Sequence, residues 1–513
     1  MKIVSSDAMA RIDRRSRTEF AFPSSLLLED AGVKSWAAVR RIIRAREAAG
    51  AAASPASGVS GARHGRLVFL AGKGNNGGDA LVMARQAAVE QERMVTIVLA
   101  DGKPPADSDP ARMLAMCEAL GTECMHWPDQ SNGVLARLGE AAWIFDGIAG
   151  TGIHGALRSP LSDLVEAVNR SPGKKIAIDV PSGVGDQFRQ GQSALRADFT
   201  LTMGLPKLCL YLPHARVLCG RIRVIHVGFP PSLVNDPEIP GELLRNGEWR
   251  NLAPSIPADT YKNKRGHLAV FAGARGTTGA AWLSASAAAR ARLGLVTLFV
   301  DGDAYAILAQ KLTSVMCRSW DAPSAWDHTP FSGILAGPGW GLAEAKEQWL
   351  RHLLALPLSG VIDADGITLL GRIASRGMVD LGGRWVLTPH PGEFSRLTGT
   401  PPADVLADPV AKSVEASARL NAVIALKGHC TIVAAPQGRY WILDGANPAL
   451  ATGGSGDVLA GIIAAGIAGG MSPTDAALFG VSLHATLGRR AARRLGWFLA
   501  EDLVPLISRA LAQ

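Results

Sequence analysis

The chain has 513 residues, 48% of them hydrophobic and 19% charged, with 57 glycines and a formal net charge of +8. This length exceeds one ordinary core and points to two compact units, and the apolar, glycine-rich balance fits an α/β enzyme and excludes a disordered chain. The positive charge does not read as a nucleic-acid surface, because the arginines are dispersed along predicted helices and only four tyrosines are available for base stacking.

In chain order, the N-terminal segment is basic but lacks the apolar core and cleavage site of a secretory signal. Its apolar spacing at Met9, Ile12 and Leu26 to Leu28 predicts two helices. The Ala/Gly/Ser-rich stretch between Arg46 and Arg66 reads as a flexible surface connection. A βα rhythm then begins, with strands predicted over 67–71, 95–100, 141–146, 175–180 and 199–204, each ending at polar or glycine residues. From Phe229 to Asp259 the sequence contains six prolines and little periodicity, as expected of a linker, which is placed at 235–258 between domains 1–234 and 259–513. The rhythm restarts with strands over 267–273, 295–301, 333–339, 360–365, 385–390, 422–428 and 431–436. The fold class expected is α/β, two domains each with helices on both faces of a mostly parallel sheet. Six scattered cysteines show no CxxC pair or zinc-like spacing and read as reduced thiols. With no apolar run long enough to span a membrane, a cytoplasmic location is expected, with neither nucleic acid nor membrane as a partner.

The first candidate site starts at GKGNNGGDALVMAR (72–85), where a strand meets a helix through a glycine-rich turn whose backbone amides can face an anionic group. DGIAGTGIHG (146–155) and DVPSGVG (179–185) add two more strand ends. The ordered set NNGGD, D-x-x-x-G-T-G and D-x-P-S-G, with LLLEDAG (26–32) and MGLPKLCL (203–210), resembles the NAD(P)HX epimerase family, the YjeF N-terminal domain, over about residues 9–234. The resemblance implies a Rossmann-like three-layer domain. It also implies that Asn75, Asn76, Gly77, Gly78 and Asp79, the loop Gly150, Thr151, Gly152, Ile153, His154, Gly155 and Ala156, and a catalytic Asp179 contact the hydrated nucleotide. Potassium is implied at Asn76, Asp146 and Ser182, whose oxygens suit a hard cation. Three positions depart from the family pattern: Asp30, Ala80 and Ala149.

The second candidate site is GGSGDVLAGIIAAGIAGG (453–470), glycines around Ser455 leading into an apolar helix. Amides there can stabilise a transferring phosphoryl group while Asp457 accepts a hydroxyl proton; alternatively Asp457 is a helix-end charge and nothing more. With ALKGHCT (425–431), LTPHPGEF (387–394), DAD (363–365) and residues 266–285, it resembles the ribokinase-like NAD(P)HX dehydratase family from about Asp259 onward. By that resemblance Lys427, Gly428, His429, Cys430, Thr431 and Gly456 hold the ADP, whereas Ala280, Gly339, Gly341, His390 and a catalytic Asp457 face the hydrated nucleotide. The alternative for His390 is a turn residue whose ring caps a backbone group. Trp340 replaces a smaller residue in the wall, and His484 reads as structural.

Together the resemblances imply a bifunctional enzyme that epimerises hydrated NADH and NADPH and dehydrates one epimer at the expense of ADP, with magnesium on the nucleotide phosphates. A homo-oligomer is expected. Two alternatives stay open at this point: a small-alcohol kinase of the ribokinase superfamily with a degenerate nucleotide-binding N-terminal domain, and a nucleotide-sensing interaction protein.

Overall fold

The computed structural model describes residues 1–53, 65–152, 155–320, 323, 326–445 and 447–512. The chain forms two compact units, Met1–Ile239 and Pro240–Gln513.

In the first unit, helices α1 (Ser6–Phe20) and α2 (Ser24–Ala53) precede the sheet, with Met9 and Ile12 buried as their spacing predicts. The stretch read as a flexible connection is still helical as far as Ala53, because alanines continue a helix readily; residues 54–64 lie outside the described residues. Seven strands follow: β1 (Arg66–Ala71), β2 (Val95–Leu99), β3 (Glu123–His126), β4 (Ala141–Gly147), β5 (Lys174–Ile178), β6 (Phe199–Met203) and β7 (Arg221–Ile225). They pair all-parallel in the order β3-β2-β1-β4-β5-β6-β7. Central strands such as β2 are buried along their whole length, as helices on both faces require. The edges are polar. β7 alternates exposed and half-buried residues through Arg221 and Arg223, and on β3 Glu123 is gripped by Arg66 and Arg137 at 2.8 Å each. These charged edges discourage further strand pairing. The strand order reverses between β1 and β4, which opens a crevice above their carboxyl ends. Helix α3 (Asn75–Glu90) starts directly at that point.

The second unit carries ten strands: β8 (Gly241–Leu243), β9 (His267–Phe271), β10 (Leu295–Val300), β11 (Met316–Ser319), β12 (Gly333–Ala336), β13 (Gly360–Ile362), β14 (Trp385–Leu387), β15 (Val423–Leu426), β16 (Cys430–Ala434) and β17 (Tyr440–Asp444). Their order is β11-β10-β9-β12-β13-β14-β15-β16-β17-β8. It is parallel from β11 to β15, and β16 is antiparallel to both neighbours. Here too the order reverses at one point, between β9 and β12. The apolar helix Ser455–Ala468 is buried from Val458 to Ala468, packed between the sheet and the helices Thr278–Arg290 and Pro473–Leu495.

The linker expected at 235–258 is corrected. From Pro240 the chain already belongs to the second unit: β8 pairs in parallel with β17, and Trp249 is 2% exposed in a cluster with Phe479, Leu483 and Phe498. Prolines mark its turns, but a single strand of three residues and one anchoring tryptophan carry too little periodicity to be read from sequence. Trp249→Ala should therefore destabilise the second unit by about 3–5 kcal/mol, the usual cost of emptying a buried aromatic site. Hydrogen exchange on the full chain should show lost protection in β9 to β17 and unchanged protection in β1 to β7.

Candidate active sites

The first site is built at the carboxyl edge of β1, β4, β5 and β6. The turn after β1 is tight for a physical reason. A Cβ on Gly77 would lie 1.8 Å from the carbonyl oxygen of Gly72, so only glycine lets the helix start fold back against the strand end. Above it lies a cleft of about 380 Å³ that brings together Asn75, Asn76, Asp79, Gly150, Thr151, Gly152 and Asp179. Gly77 and Gly78 are buried beneath it, Gly155 and Ala156 are exposed and absent from its lining, and Ile153 and His154 lie outside the described residues.

Below the cleft floor Asp146 and Ser182 are fully buried. The Ser182 hydroxyl donates to Asp146 Oδ1 at 2.6 Å, the Ser182 amide to Oδ2 at 2.8 Å and the Ile148 amide to Oδ1 at 3.2 Å. All these donors are neutral, and burial pushes the Asp146 carboxyl up to about 6. Neighbouring Asn76 has both side-chain polar atoms buried with no partner among the described residues. An orphaned amide oxygen beside a buried carboxylate and a hydroxyl is a donor set that fits a hard monovalent cation.

Asp179 occupies a left-handed backbone conformation with φ +67°, a strain that a side chain tolerates where the surroundings fix it. Its Oδ1 accepts from Lys207 Nζ at 2.5 Å, from the Met203 amide at 3.1 Å and from the Thr202 hydroxyl at 3.4 Å. Lys207 is 1% exposed. It was not among the residues singled out, although it lies within MGLPKLCL. Its only signal in the sequence is a lysine in an otherwise apolar stretch, and its reach to Asp179 appears only in the fold. Asp79 is buried too, and burial together with the Asp179 charge raises its carboxyl well above the usual carboxylate range.

The second site stands at the carboxyl edge of β12 to β15. Lys427, at the end of β15, donates to Asp363 Oδ1 at 2.8 Å and lies 3.8 Å from Glu393 Oε2. Burial would lower this ammonium, but Asp363 and Glu393 outweigh it and its affinity for the proton is raised. The Thr388 hydroxyl donates to the same Asp363 oxygen at 2.7 Å, while Asp363 Oδ2 is buried without a partner among the described residues. A Cβ on Gly456 would stand 3.3 Å from Lys427 Nζ, so the ammonium lies against the amino end of the helix Ser455–Ala468. Asp457, in the first turn, is pushed up to about 7 by burial and then by Asp363, against the opposing pull of Lys427.

Gly337 has φ +123°, and a Cβ there would meet the Asp363 carbonyl oxygen at 1.9 Å. This close approach delivers the next loop to the site. Gly339 packs on Thr277 and Ala280, whose Cβ atoms would be 2.8 and 3.0 Å from a Gly339 Cβ, and the Gly341 amide donates to Asp365 at 2.7 Å. Trp340 is fully buried and turns inward onto Phe271, centroids 6.0 Å apart. It is thus part of the core and not of the site wall, which corrects the sequence reading. The His390 ring accepts from the Gly392 amide at 3.0 Å, and the His390 amide donates to Glu393 at 2.8 Å. The capping role is therefore present, with the ring still half exposed and its Nε2 3.4 Å from Glu393. Burial lowers the proton affinity of His484 to about 4, leaving the ring neutral.

The two units match two family models: residues 25–209 match the one described as YjeF-related protein N-terminus, and residues 268–509 the one described as NAD(P)H-hydrate dehydratase. A protein of Moorella thermoacetica named a bifunctional NAD(P)H-hydrate repair enzyme is 32% identical over 99% of this chain and 96% of its own length. A protein of Coxiella burnetii with the same name is 33% identical over 86% of this chain and 88% of its own. The chain belongs to the bifunctional NAD(P)H-hydrate repair enzyme family. The crystal structure of the ADP/ATP-dependent NAD(P)H-hydrate dehydratase from Bacillus subtilis with ATP/Mg2+ is 27% identical, covering 53% of this chain and 98% of that chain at a TM-score of 0.48.

The three departures from the repair-enzyme pattern are structurally accommodated. Asp30 accepts from Lys34 at 2.8 Å and from the Gly228 amide at 3.0 Å, pinning the loop after β7. Ala80 is buried where Gly147 leaves room for its methyl group. Ala149 contributes its amide to Ser182 Oγ at 3.0 Å, a contact every residue but proline can make. The glycine turn is far less permissive. Gly77→Ala should destabilise the first unit by about 1–3 kcal/mol or more, as forced overpacking does, whereas Gly152→Ala, with open space around its Cα, should leave stability nearly unchanged. Paired denaturation curves on the two variants check this contrast.

Proposed function

We propose that the two sites perform consecutive steps on hydrated NADH and NADPH, the first interconverting the two C6 epimers and the second dehydrating the S epimer at the expense of ADP. The observation that carries this reading is the presence, in one chain, of the Asn76–Asp79–Asp179 cleft and of Asp457 beside Lys427 at a glycine-capped helix start. A small-alcohol kinase would account for the second set alone, and an interaction protein would need neither Asp179 with its buried ammonium nor Asp457.

In the dehydratase step, Asp457 takes the proton of the C6 hydroxyl while the oxygen attacks the terminal phosphorus of ADP and AMP departs. Phosphate then leaves C6 as C5 loses a proton, which restores the conjugated ring. The amides at the start of the helix Ser455–Ala468 stabilise the charge on the transferring phosphoryl group, and Lys427 neutralises the nucleotide from below. Ala280, Gly339, Gly341 and His390 border the hydrated ring, and Lys427 to Thr431 with Gly456 hold the ADP. Among the described residues no three His, Cys, Asp or Glu side chains converge as a ready metal site, so magnesium would be held chiefly by the phosphates, whose charge it would offset. In the first unit, potassium at Asn76, Asp146 and Ser182 would supply positive charge next to the bound nucleotide. The described helices include none long and apolar enough to cross a membrane.

Asp457→Asn keeps size and helix position but removes the base, so dehydration should fall by about 10² to 10⁴ while epimer exchange persists. In the wild type the base must be deprotonated, so the dehydration rate should fall as pH drops through about 7; a rate flat across that range argues against this role. Asn76→Ala should abolish the response of epimerisation to potassium, read by titrating potassium against sodium at constant ionic strength.

A further inference from the structure

The two carboxyl groups of the first cleft stand in opposite environments. Asp179 reaches it from the end of β5, and its Oδ1 collects three donors, one of them the buried Lys207 ammonium. Asp79 reaches the same cleft from α3. It sits past the first turn, where the helix dipole gives little help to an anion, and it is 8% exposed. The charged side chains lining the cleft around it are Asp13 from α1, Asp179 and Lys207, and Lys207 is already engaged by Asp179 and by the Met203 carbonyl at 2.5 Å. A carboxylate and a neutral carboxylic acid facing one cavity form an acid and base pair.

We propose that Asp79 is a catalytic proton donor in epimerisation, acting opposite Asp179 as the base, with Lys207 a positioning residue for Asp179. This rests on the reading of the first unit as an epimerase. In the hydrated nicotinamide, C6 carries both a hydroxyl and the ring nitrogen N1, so its configuration inverts as a sugar anomer does. Asp179 removes the hydroxyl proton, the C6–O electrons form a carbonyl, the C6–N1 bond breaks, and its electron pair takes the proton of Asp79. The open form carries an aldehyde and an N1–H. Rotation about C5–C6 presents the other carbonyl face; N1 attacks it, returns its proton to Asp79, and the oxygen recovers the proton held by Asp179. Both carboxyl groups end as they began, and no oxidant or reductant is consumed. Burial and then the nearby Asp179 charge raise the Asp79 carboxyl well above the usual carboxylate range, which suits it to donate a proton.

The test is epimer exchange followed by NMR on the full chain in potassium buffer, as a function of pH, for wild type, Asp79→Asn and Lys207→Met. The expected results are a wild-type kcat that falls on the alkaline side, a loss of about 10² to 10⁴ in kcat for Asp79→Asn at a KM within a few-fold, and no alkaline fall in that variant. Lys207→Met should lower kcat with KM within a few-fold, because Asp179 loses the ammonium that holds its Oδ1; a merely structural lysine would lower folding stability and leave the kcat of the folded protein unchanged. Asp79→Asn with near wild-type kcat would overturn the inference while leaving the epimerase reading intact. A wild type no faster than spontaneous exchange would overturn the epimerase reading itself. If Asp79→Asn does not fold, the wild-type profile decides: an alkaline limb supports the proposal and a flat one overturns it.

Discussion

Carboxylates buried at the carboxyl ends of parallel strands are the constraint around which both units are organised. Removing a carboxylate from water costs several kcal/mol unless donors or cations replace the lost hydration. The chain meets that cost differently in each place. Asp146 receives three neutral donors, Asp179 a buried ammonium with an amide and a hydroxyl, and Asp363 the Lys427 ammonium with the Thr388 hydroxyl. Each arrangement fixes a loop to a strand end and leaves an adjacent group, Asn76, Asp79 or Asp457, with proton or ligand demands still unmet. Stability and reactivity thus come from the same desolvation.

The parallel sheet makes this possible. Its strand ends and helix starts all point the same way at one edge, and the reversal of strand order opens a crevice there. Glycines at 77 and 337 then bring backbone within van der Waals contact where any side chain would collide. The first unit uses this geometry to hold a cleft between strand ends and α1 and α2. The second uses it to place Lys427 against the amino end of a helix. The second unit accepts only one epimer in the proposed scheme, so a fused epimerase removes the dead end that the other epimer would form.

Much of this was visible in the sequence. Most central strands read correctly because their runs are apolar on both faces, though the internal, buried β17 was not among those read, and the glycine turns read correctly because few other contexts tolerate such clusters. The edge strands β3, β7 and β11 did not, since their residues are half exposed and carry Glu123, Arg221, Arg223 or Arg318, which breaks the pattern. β8 is too short to show a period, and its place depends on β17, which lies about two hundred residues later. Asn75, Asn76, Asp79 and Asp179 meet at one strand edge and Lys427 lies near Gly456 at another, whereas Gly155 and Ala156 do not line the cleft. Lys207 did not stand out because its meaning lies in a contact 28 residues back. Trp340 misled because an aromatic between two glycines can turn to either side, and the left-handed conformations of Gly339 and Gly341 turn it into the core.

The central claim is that one chain carries two complementary active sites, and recovery of a mixed epimer pool tests it most directly. Purified full-length protein, with ADP, magnesium and potassium, is given both epimers of hydrated NADH, and the return of the near-ultraviolet absorbance of reduced nicotinamide is followed to completion. The account predicts that the whole pool is recovered, in a process faster than spontaneous epimer exchange and dependent on ADP. Recovery that stops after one epimer, with the remainder returning only at the spontaneous rate, would contradict it.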